Sequence, residues 1–240
     1  MEQIIGKTIR EIALAAPATT RVFEEFKIDY CCGGRRSISD ACAAIGVDPA
    51  VLERRIGEVI AVQPVDRNEP EDLPTLELVE YIIDKHHTFT KDEIARLTPL
   101  MEKVATRHGE NHPELLELQT IFTALADSLI PHMMKEEHVL FPHIKRLSHA
   151  AGNNLPSPFA PFITVQNPIN MMMMEHDTDG DRLAEMRRLT RDYQLPEGAC
   201  PSFTALYAGL QDLERDLHRH IHLENNVLFP AAAGLEGCQK

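Results

Sequence analysis

The sequence lacks the features that mark several large classes of protein. Trp is absent and aromatic residues make up only 5% of the 240 residues, which favours helices filled with aliphatic side chains over an aromatic-rich β-sheet. No apolar run approaches the ~20 residues that span a bilayer. No secretory signal pattern opens the chain. We therefore expect a cytoplasmic protein with no membrane partner.

Positive charge and patterned cysteines are also scarce. Lys and Arg number 24 against 37 Asp and Glu, for a formal net charge of −13. So acidic a chain repels phosphate backbones, and we expect no nucleic-acid partner. The five cysteines lie at positions 31, 32, 42, 200 and 238. None forms a C-x-x-C pair, which argues against a zinc ribbon or a thioredoxin-like site.

One stretch divides the chain into two parts. Residues 62–75 read VQPVDRNEPEDLPT, with three prolines and no hydrophobic periodicity, which is typical of a linker. We predict a small helical domain over residues 1–62, a linker over 63–74 and a larger helical domain over 75–240. The small domain carries the segment DYCCGG, residues 29–34, between its second and third predicted helices.

The larger domain shows four long helical patterns and no strand pattern. The predicted helices cover residues 75–107, 113–148, 169–192 and 201–229. The fold class is therefore all-α, a four-helix bundle preceded by a small helical domain. Pro131 removes one hydrogen bond inside the second helix, but the apolar stripe continues in phase past it, so we expect that helix to continue.

A motif in the second helix returns in the fourth. Residues 132–142 read HMMKEEHVLFP, and residues 220–230 read HIHLENNVLFP. His and Glu four residues apart lie on one helix face, and both pairs fall where the apolar stripe calls for Leu. A buried, unpaired carboxylate costs several kcal/mol on an order-of-magnitude scale, so a cation must offset it. We expect Phe-Pro to end these helices, although the first could continue beyond Pro142 with a bend.

The first and third helices each add a histidine to the inward face. His87 lies 45 residues before His132, and His176 lies 44 residues before His220. His86 is predicted at the flank of its helix. The candidate metal ligands are thus His87, His132, Glu136, His176, His220 and Glu224. Two cations that each take two His and share both carboxylates use the whole set, and this donor set suits iron, manganese or zinc.

These motifs resemble those of a known family. The repeated His-x-x-x-Glu with Leu-Phe-Pro, together with KHH in the first helix and MEHD in the third, resembles hemerythrin-like di-iron bundles. DYCCGG, with short helices around it, is similar to the small domain that precedes such a bundle in the iron–sulfur cluster repair di-iron proteins (the RIC family). The likeness covers nearly the whole chain. The additional His of oxygen-carrying hemerythrins is missing.

The resemblance implies a function and a cofactor. It implies two non-haem iron ions, bridged by oxo or hydroxo, at the six positions named above. It also implies repair of iron–sulfur clusters damaged by oxidative or nitrosative stress, through iron donation or through reduction of NO, so that an oxidoreductase activity toward NO stays an open question. The implied partners are damaged iron–sulfur proteins and NO or O2. The alternative is a carrier or sensor that binds O2 or NO.

Three further residues are candidates for catalysis. Cys31 and Cys32 could form a redox-active or nitrosatable thiol pair, or one could pack in the core while the other is idle. Glu175, next to His176, could gate access to the metals or relay protons, or be a solvated carboxylate. His218 and His222 share a polar face and are predicted to be exposed. A homodimer is left open.

Overall fold

The N-terminal part of the computed structural model consists of four short helices. The structure describes residues 6–62 and 69–237. The first helices are α1 (Ile9–Ala15), α2 (Thr19–Glu25), α3 (Ile38–Ile45) and α4 (Pro49–Val62). Ser37 caps α3 by accepting a hydrogen bond from the Asp40 backbone N–H, and Gly46 ends it with a left-handed φ of 68°. Half of the predicted linker, residues 63–68, lies outside the described residues.

The remaining helices form the bundle. They are α5 (Thr75–Tyr81), α6 (Thr88–His108), α7 (Glu114–Lys135), α8 (Phe141–Gly152), α9 (Gln166–Leu189), α10 (Pro201–Leu223) and α11 (Phe229–Gly237), with a 3-10 turn at Pro70–Asp72. The described residues form no strand, only a single bridge between Thr8 and Ser37. Within those same ranges, no helix combines the length and the hydropathy that crossing a membrane requires.

Three turns of π-helix interrupt the long helices at the predicted ligands. They cover Ile82–His87, Glu136–Leu140 and Glu224–Leu228. The Phe141 N–H bonds the Glu136 carbonyl and the Phe229 N–H bonds the Glu224 carbonyl, five residues back. This wide turn leaves room for the proline that follows each Phe. The expectation that Phe-Pro ends the helix is therefore wrong for the second motif, since α11 continues beyond it, and the first helix continues beyond Pro142 into α8, the alternative that the sequence left open. Pro131 lies inside an unbroken α7, as predicted.

The π-turns also shift which side chains face inward. The predicted stripe placed Val139 inside, but Val139 is 44% exposed and Leu140 is buried instead. His86, predicted at the flank, is buried together with His87. A helix turn with more than 3.6 residues rotates less per residue, so two neighbouring positions can face the core.

Two apolar clusters lie on either side of the predicted ligands. One fills the space between α6, α7, α9 and α10 and includes Phe122, Leu129 and Leu217. The other joins α5, α8, α11 and the start of α9 and includes Leu140 and Leu228. The polar residues between these clusters are thus shielded from water on both sides, which strengthens every electrostatic contact among them.

The N-terminal helices pack against the bundle beside the third π-turn. Asn226 Nδ2 donates to the Tyr30 carbonyl (3.2 Å), and Arg10 Nη2 donates to the Asn226 carbonyl (2.9 Å). The Tyr30 ring lies 5.3 Å from the His222 ring, measured between centroids. His222 is consequently buried, and the prediction that it is exposed is wrong because this domain covers its face. His218 keeps about 20% of its side chain exposed.

Candidate metal centre

The six residues predicted as metal ligands lie together inside the bundle. Two groups of side chains each bring four ligand atoms within 4.8 Å of one another. The first group is His87, Glu136, His220 and Glu224, and the second is His132, Glu136, His176 and Glu224. Both carboxylates belong to both groups. All six residues are at most 2% exposed.

The histidines face one another in pairs through their Nε2 atoms. His87 Nε2 lies 3.1 Å from His220 Nε2, and His176 Nε2 lies 3.0 Å from His132 Nε2. The carboxylates flank these pairs, with Glu224 Oε1 3.0 Å from His220 Nε2 and Glu136 Oε1 3.4 Å from His132 Nε2. Each pair of imidazoles therefore converges on the same point as the two carboxylates.

The opposite ring nitrogens of three histidines are held by acceptors. His87 Nδ1 lies 2.8 Å from Glu137 Oε1, and His132 Nδ1 lies 2.7 Å from Glu175 Oε2. His176 Nδ1 lies 2.9 Å from Asn225 Oδ1. A carboxylate or an amide oxygen can only accept, so each Nδ1 must carry the proton. The Nε2 lone pairs of these histidines are left for a metal, which is how ligand histidines are commonly oriented.

These residues fit a bound cation and fit poorly without one. Two Nε2 lone pairs 3.0 Å apart repel each other unless a proton or a metal lies between them. Within the described residues, neither carboxylate oxygen of Glu136 has a hydrogen-bond partner. Burial opposes protonation of His87, but contacts with Glu136 and Glu224 outweigh it and raise its pKa to about 10. In the metal-free chain, a proton thus takes the position that a cation fits.

Contacts across the centre shift the pKa values of His132 and Glu224, whereas burial lowers the pKa of His220. Burial also opposes protonation of His132, but Glu136 raises its pKa to about 9. Burial disfavours the charged form of Glu224, yet its contacts with His220 and His176 hold its pKa well below the usual range. The centre is therefore a compact set of mutually attracting charges, and metals replace protons in such sets.

Two Lys–Glu pairs extend from the centre toward solvent. Lys91 Nζ donates to Glu137 Oε1 (2.6 Å), and Lys135 Nζ donates to Glu175 Oε1. Burial would raise the pKa of Glu175, but Lys135 and His132 lower it. Glu175, predicted as a gate or proton relay, thus lies against a candidate ligand, His132, with about a third of its side chain exposed.

Two residues that orient candidate ligands were not predicted from the sequence. Glu137 and Asn225 each follow directly after one of the repeated glutamates and each bonds a histidine of another helix. The signal was present, because the residue after the repeated Glu is polar in both copies. The Phe of each motif also has a role in the site, since its ring stacks on a histidine: Phe141 on His87 and Phe229 on His176.

The predicted thiols lie outside both His/Glu groups. Cys31 is buried, Cys32 is partly exposed, and neither is in a disulfide. Asn225 connects them to the centre, because its Nδ2 donates to the Cys31 carbonyl (3.3 Å) while its Oδ1 holds His176. The DYCCGG loop is therefore two hydrogen bonds away from a candidate ligand.

Comparison with known proteins gives two matching families. Residues 78–232 match the hemerythrin HHE cation-binding domain, and residues 5–60 match a domain of unknown function, DUF542. The chain is 35% identical over 226 residues to the iron–sulfur cluster repair protein YtfE of Musicola paradisiaca, covering 94% of this chain and 96% of the relative. It belongs to this repair protein family. The YtfE proteins of Pectobacterium carotovorum and Yersinia pseudotuberculosis are 34% and 33% identical, with similar coverage.

The family assignment agrees with the fold and with the chemistry of the site. All six candidate His and Glu ligands fall within the segment that matches the cation-binding domain. The chain thus has a hemerythrin-like helical bundle and a set of His and Glu side chains that fits a metal-binding site. DYCCGG lies in the segment matched by the domain of unknown function.

Proposed function

We propose that the chain repairs iron–sulfur clusters damaged by oxidative or nitrosative stress, with two non-haem irons held by the six buried residues. One observation supports this proposal most strongly. Two His–His pairs share the carboxylates of Glu136 and Glu224, and three of the four carboxylate oxygens have no hydrogen-bond partner among the described residues. Two cations, each with two imidazoles and both bridging carboxylates, satisfy every one of these atoms. The relatives are iron–sulfur cluster repair proteins, which is the reason to choose iron.

The donor set leaves room for chemistry at each cation. Four protein ligands are fewer than the six that octahedral metals take, so a small molecule or a bridging oxygen could complete each sphere. Two ferrous ions would supply one electron each, so that two NO and two protons yield N2O and water. The chain contributes by fixing the imidazoles: Glu137 and Glu175 hold the Nδ1 protons of His87 and His132, and the flanking apolar clusters exclude bulk water.

Iron donation is the second route to repair. Buried iron can leave only if the ligands open, and Glu175, with about a third of its side chain exposed, contacts His132 from the surface. We propose Glu175 as a positioning residue for His132 in either route. Cys31 and Cys32 are proposed as a redox-active or nitrosatable pair that acts at a distance from the centre. Binding of O2 and formation of a homodimer stay predictions from the sequence.

An anaerobic assay separates these possibilities. The Fe2+-loaded, reduced chain is exposed to NO and headspace N2O is measured, with Glu136→Ala as the metal-ligand variant. N2O from the parent and none from the variant is the result expected for NO reduction at the centre. Tight NO binding without N2O would exclude reduction and favour a carrier, a sensor or an iron donor. Iron transfer to a damaged cluster protein then tests donation, and its failure together with absent N2O contradicts the repair proposal.

A further inference from the structure

A second set of ligand atoms lies in the DYCCGG loop, outside the His/Glu centre. The carboxylate of Asp29 and the thiols of Cys31 and Cys32 have ligand atoms within 4.8 Å of one another. We propose that these three residues form a site for one thiophilic divalent cation, such as Fe2+ or Zn2+. The site is independent of the His/Glu centre and of its activity toward NO.

The spacing of the ligand atoms matches a tetrahedral cation. Bonds of about 2.3 Å to sulfur and about 2.0–2.2 Å to oxygen put two sulfurs ~3.8 Å apart and a sulfur and an oxygen ~3.5 Å apart. The Cys31 and Cys32 Sγ atoms are 3.7 Å apart, and Cys31 Sγ is 3.3 Å from Asp29 Oδ1. Two of the three edges thus match those that one cation requires, and the third, from Cys32 Sγ to the Asp29 carboxylate, is within 4.8 Å.

The loop holds these atoms in place before any cation binds. The backbone N–H groups of Cys31 and Cys32 donate to Asp29 Oδ1 (3.0 and 2.9 Å), and that of Gly33 donates to Oδ2 (2.8 Å). Asn225 holds the Cys31 carbonyl from the bundle side (3.3 Å). A site that is already ordered loses less conformational entropy on binding, which favours affinity.

The bundle leaves space for the second thiol. A Cβ placed on Gly180 of α9 would lie 3.8 Å from Cys32 Sγ, so the thiol packs over the bare backbone of the helix that carries His176. Cys32 Sγ therefore faces α9 at the position where Gly180 carries no side chain, and part of Cys32 stays exposed. The DYCCGG loop therefore lies between the N-terminal helices and α9.

The three residues open onto a cavity of about 680 Å3 between the N-terminal helices and the bundle. Arg35, Arg36 and Arg187 also line this cavity. A divalent cation with two thiolates and one carboxylate carries a net charge of −1, and the cavity lining holds acidic side chains, Asp177 and Asp181 among them, as well as basic ones. The cavity gives a small complex of the metal a path to the thiols that does not cross the bundle core.

Binding requires that both thiols lose their protons. The hydrogen bond with Cys32, followed by burial, raises the pKa of Cys31 well above its usual range, so this thiol holds its proton at neutral pH. The balanced step is one dication plus two thiols, giving a dithiolate complex and two protons, with no change of oxidation state. An iron at this site has sulfur ligands, as iron has in clusters, whereas an iron at the His/Glu centre has none.

Cobalt distinguishes the two centres in one titration. The full chain, reduced and kept anaerobic, is titrated with Co2+ while absorbance is followed in the near ultraviolet, where thiolate-to-cobalt charge transfer absorbs and His/Glu ligation does not. We expect the band in the parent, its loss in Cys32→Ser, and weakened binding in Asp29→Asn. The double variant Cys200→Ser/Cys238→Ser is the matched control and should keep the band.

Several results would overturn the proposal. One is a parent without the band, and another is a band that survives Cys32→Ser. A band lost in the control variant would place the metal elsewhere, for example at Cys200, whose Sγ lies 3.3 Å from His108 Nε2. If Cys32→Ser loses its helical circular dichroism, alkylation of the parent decides: saturating Zn2+ should slow iodoacetamide modification of Cys32, and an unchanged rate contradicts the site.

Discussion

Replacing Asn225 with Leu should weaken one metal position and leave the other intact. Asn225 Oδ1 accepts from His176 Nδ1–H (2.9 Å), and His176 belongs to only one of the two ligand groups. Loss of a hydrogen bond that orients a ligand typically lowers metal affinity by 10–100-fold, or about 1.4–2.7 kcal/mol. His87 and His220 do not contact Asn225, so the affinity of their group should stay near that of the parent.

The same change should destabilise the metal-free chain. The buried His176 Nδ1–H loses its acceptor, which costs about 1–3 kcal/mol. The Cys31 carbonyl keeps its bond from Asn226 Nδ2 (3.4 Å) and loses only the one from Asn225, which adds about 0.5–1.5 kcal/mol. The free energy of unfolding should therefore fall by about 1.5–4.5 kcal/mol.

Two matched variants separate orientation of the ligand from general damage. Asn225→Asp keeps an acceptor for His176, so both cations should bind as in the parent. Asn226→Leu removes contacts with the N-terminal loop and leaves His176 untouched. In a Cys32→Ser background, which lacks the proposed thiol site, competition of Co2+ or Fe2+ with a chromogenic chelator gives both affinities. Equal weakening in Asn225→Leu and Asn226→Leu, or no weakening in Asn225→Leu despite a lower melting temperature, would refute the reasoning.

Three further predictions follow from charge and packing. Glu137→Leu leaves the Nδ1–H of His87 without its acceptor, so chelator competition should show one of the two affinities lowered by about 10–100-fold. In the metal-free chain, the pKa of His87 is raised from 6.5 to about 10 and that of His132 to about 9. Their protonation therefore stabilises the fold fully below about pH 6.5, and urea unfolding should show this stability lost as pH rises through 9 and 10. Gly209→Ala should lower the melting temperature, because its Cβ would lie 2.6 Å from a leucine carbon of α6, an overpacking that costs about 1–3 kcal/mol. Gly234→Ala, with nothing within 4 Å of the added Cβ, should not.

Much of the bundle could be predicted from periodicity. The four long helices and the inward face of His132 and Glu136 follow from a 3.6-residue repeat, which α7 keeps even through Pro131. The prediction failed after Glu136, where the inward position passes to Leu140. A π-turn has no sequence signature of this kind, because it depends on which carbonyl each N–H reaches after packing.

The orienting residues lay beyond what periodicity can show. Glu137 and Asn225 act across helices, and only the packing of those helices decides which ring nitrogen they reach. The burial of His222 shows the same limit of prediction from periodicity. Its own helix gives it polar neighbours, but Tyr30 from a distant segment covers it. Contacts between segments that are far apart in the sequence cannot be predicted from either segment alone.

Iron counting in single-ligand variants tests most directly whether two cations share Glu136 and Glu224. With Cys32→Ser in the background to remove the proposed Asp29/Cys31/Cys32 site, the chain loaded anaerobically with Fe2+ and freed of excess should hold about two irons. His176→Ala should hold about one, since His176 serves one group, and Glu136→Ala should hold almost none, since Glu136 serves both. Equal iron contents in the two variants, with helical circular dichroism intact in both, would contradict a centre in which the carboxylates are shared.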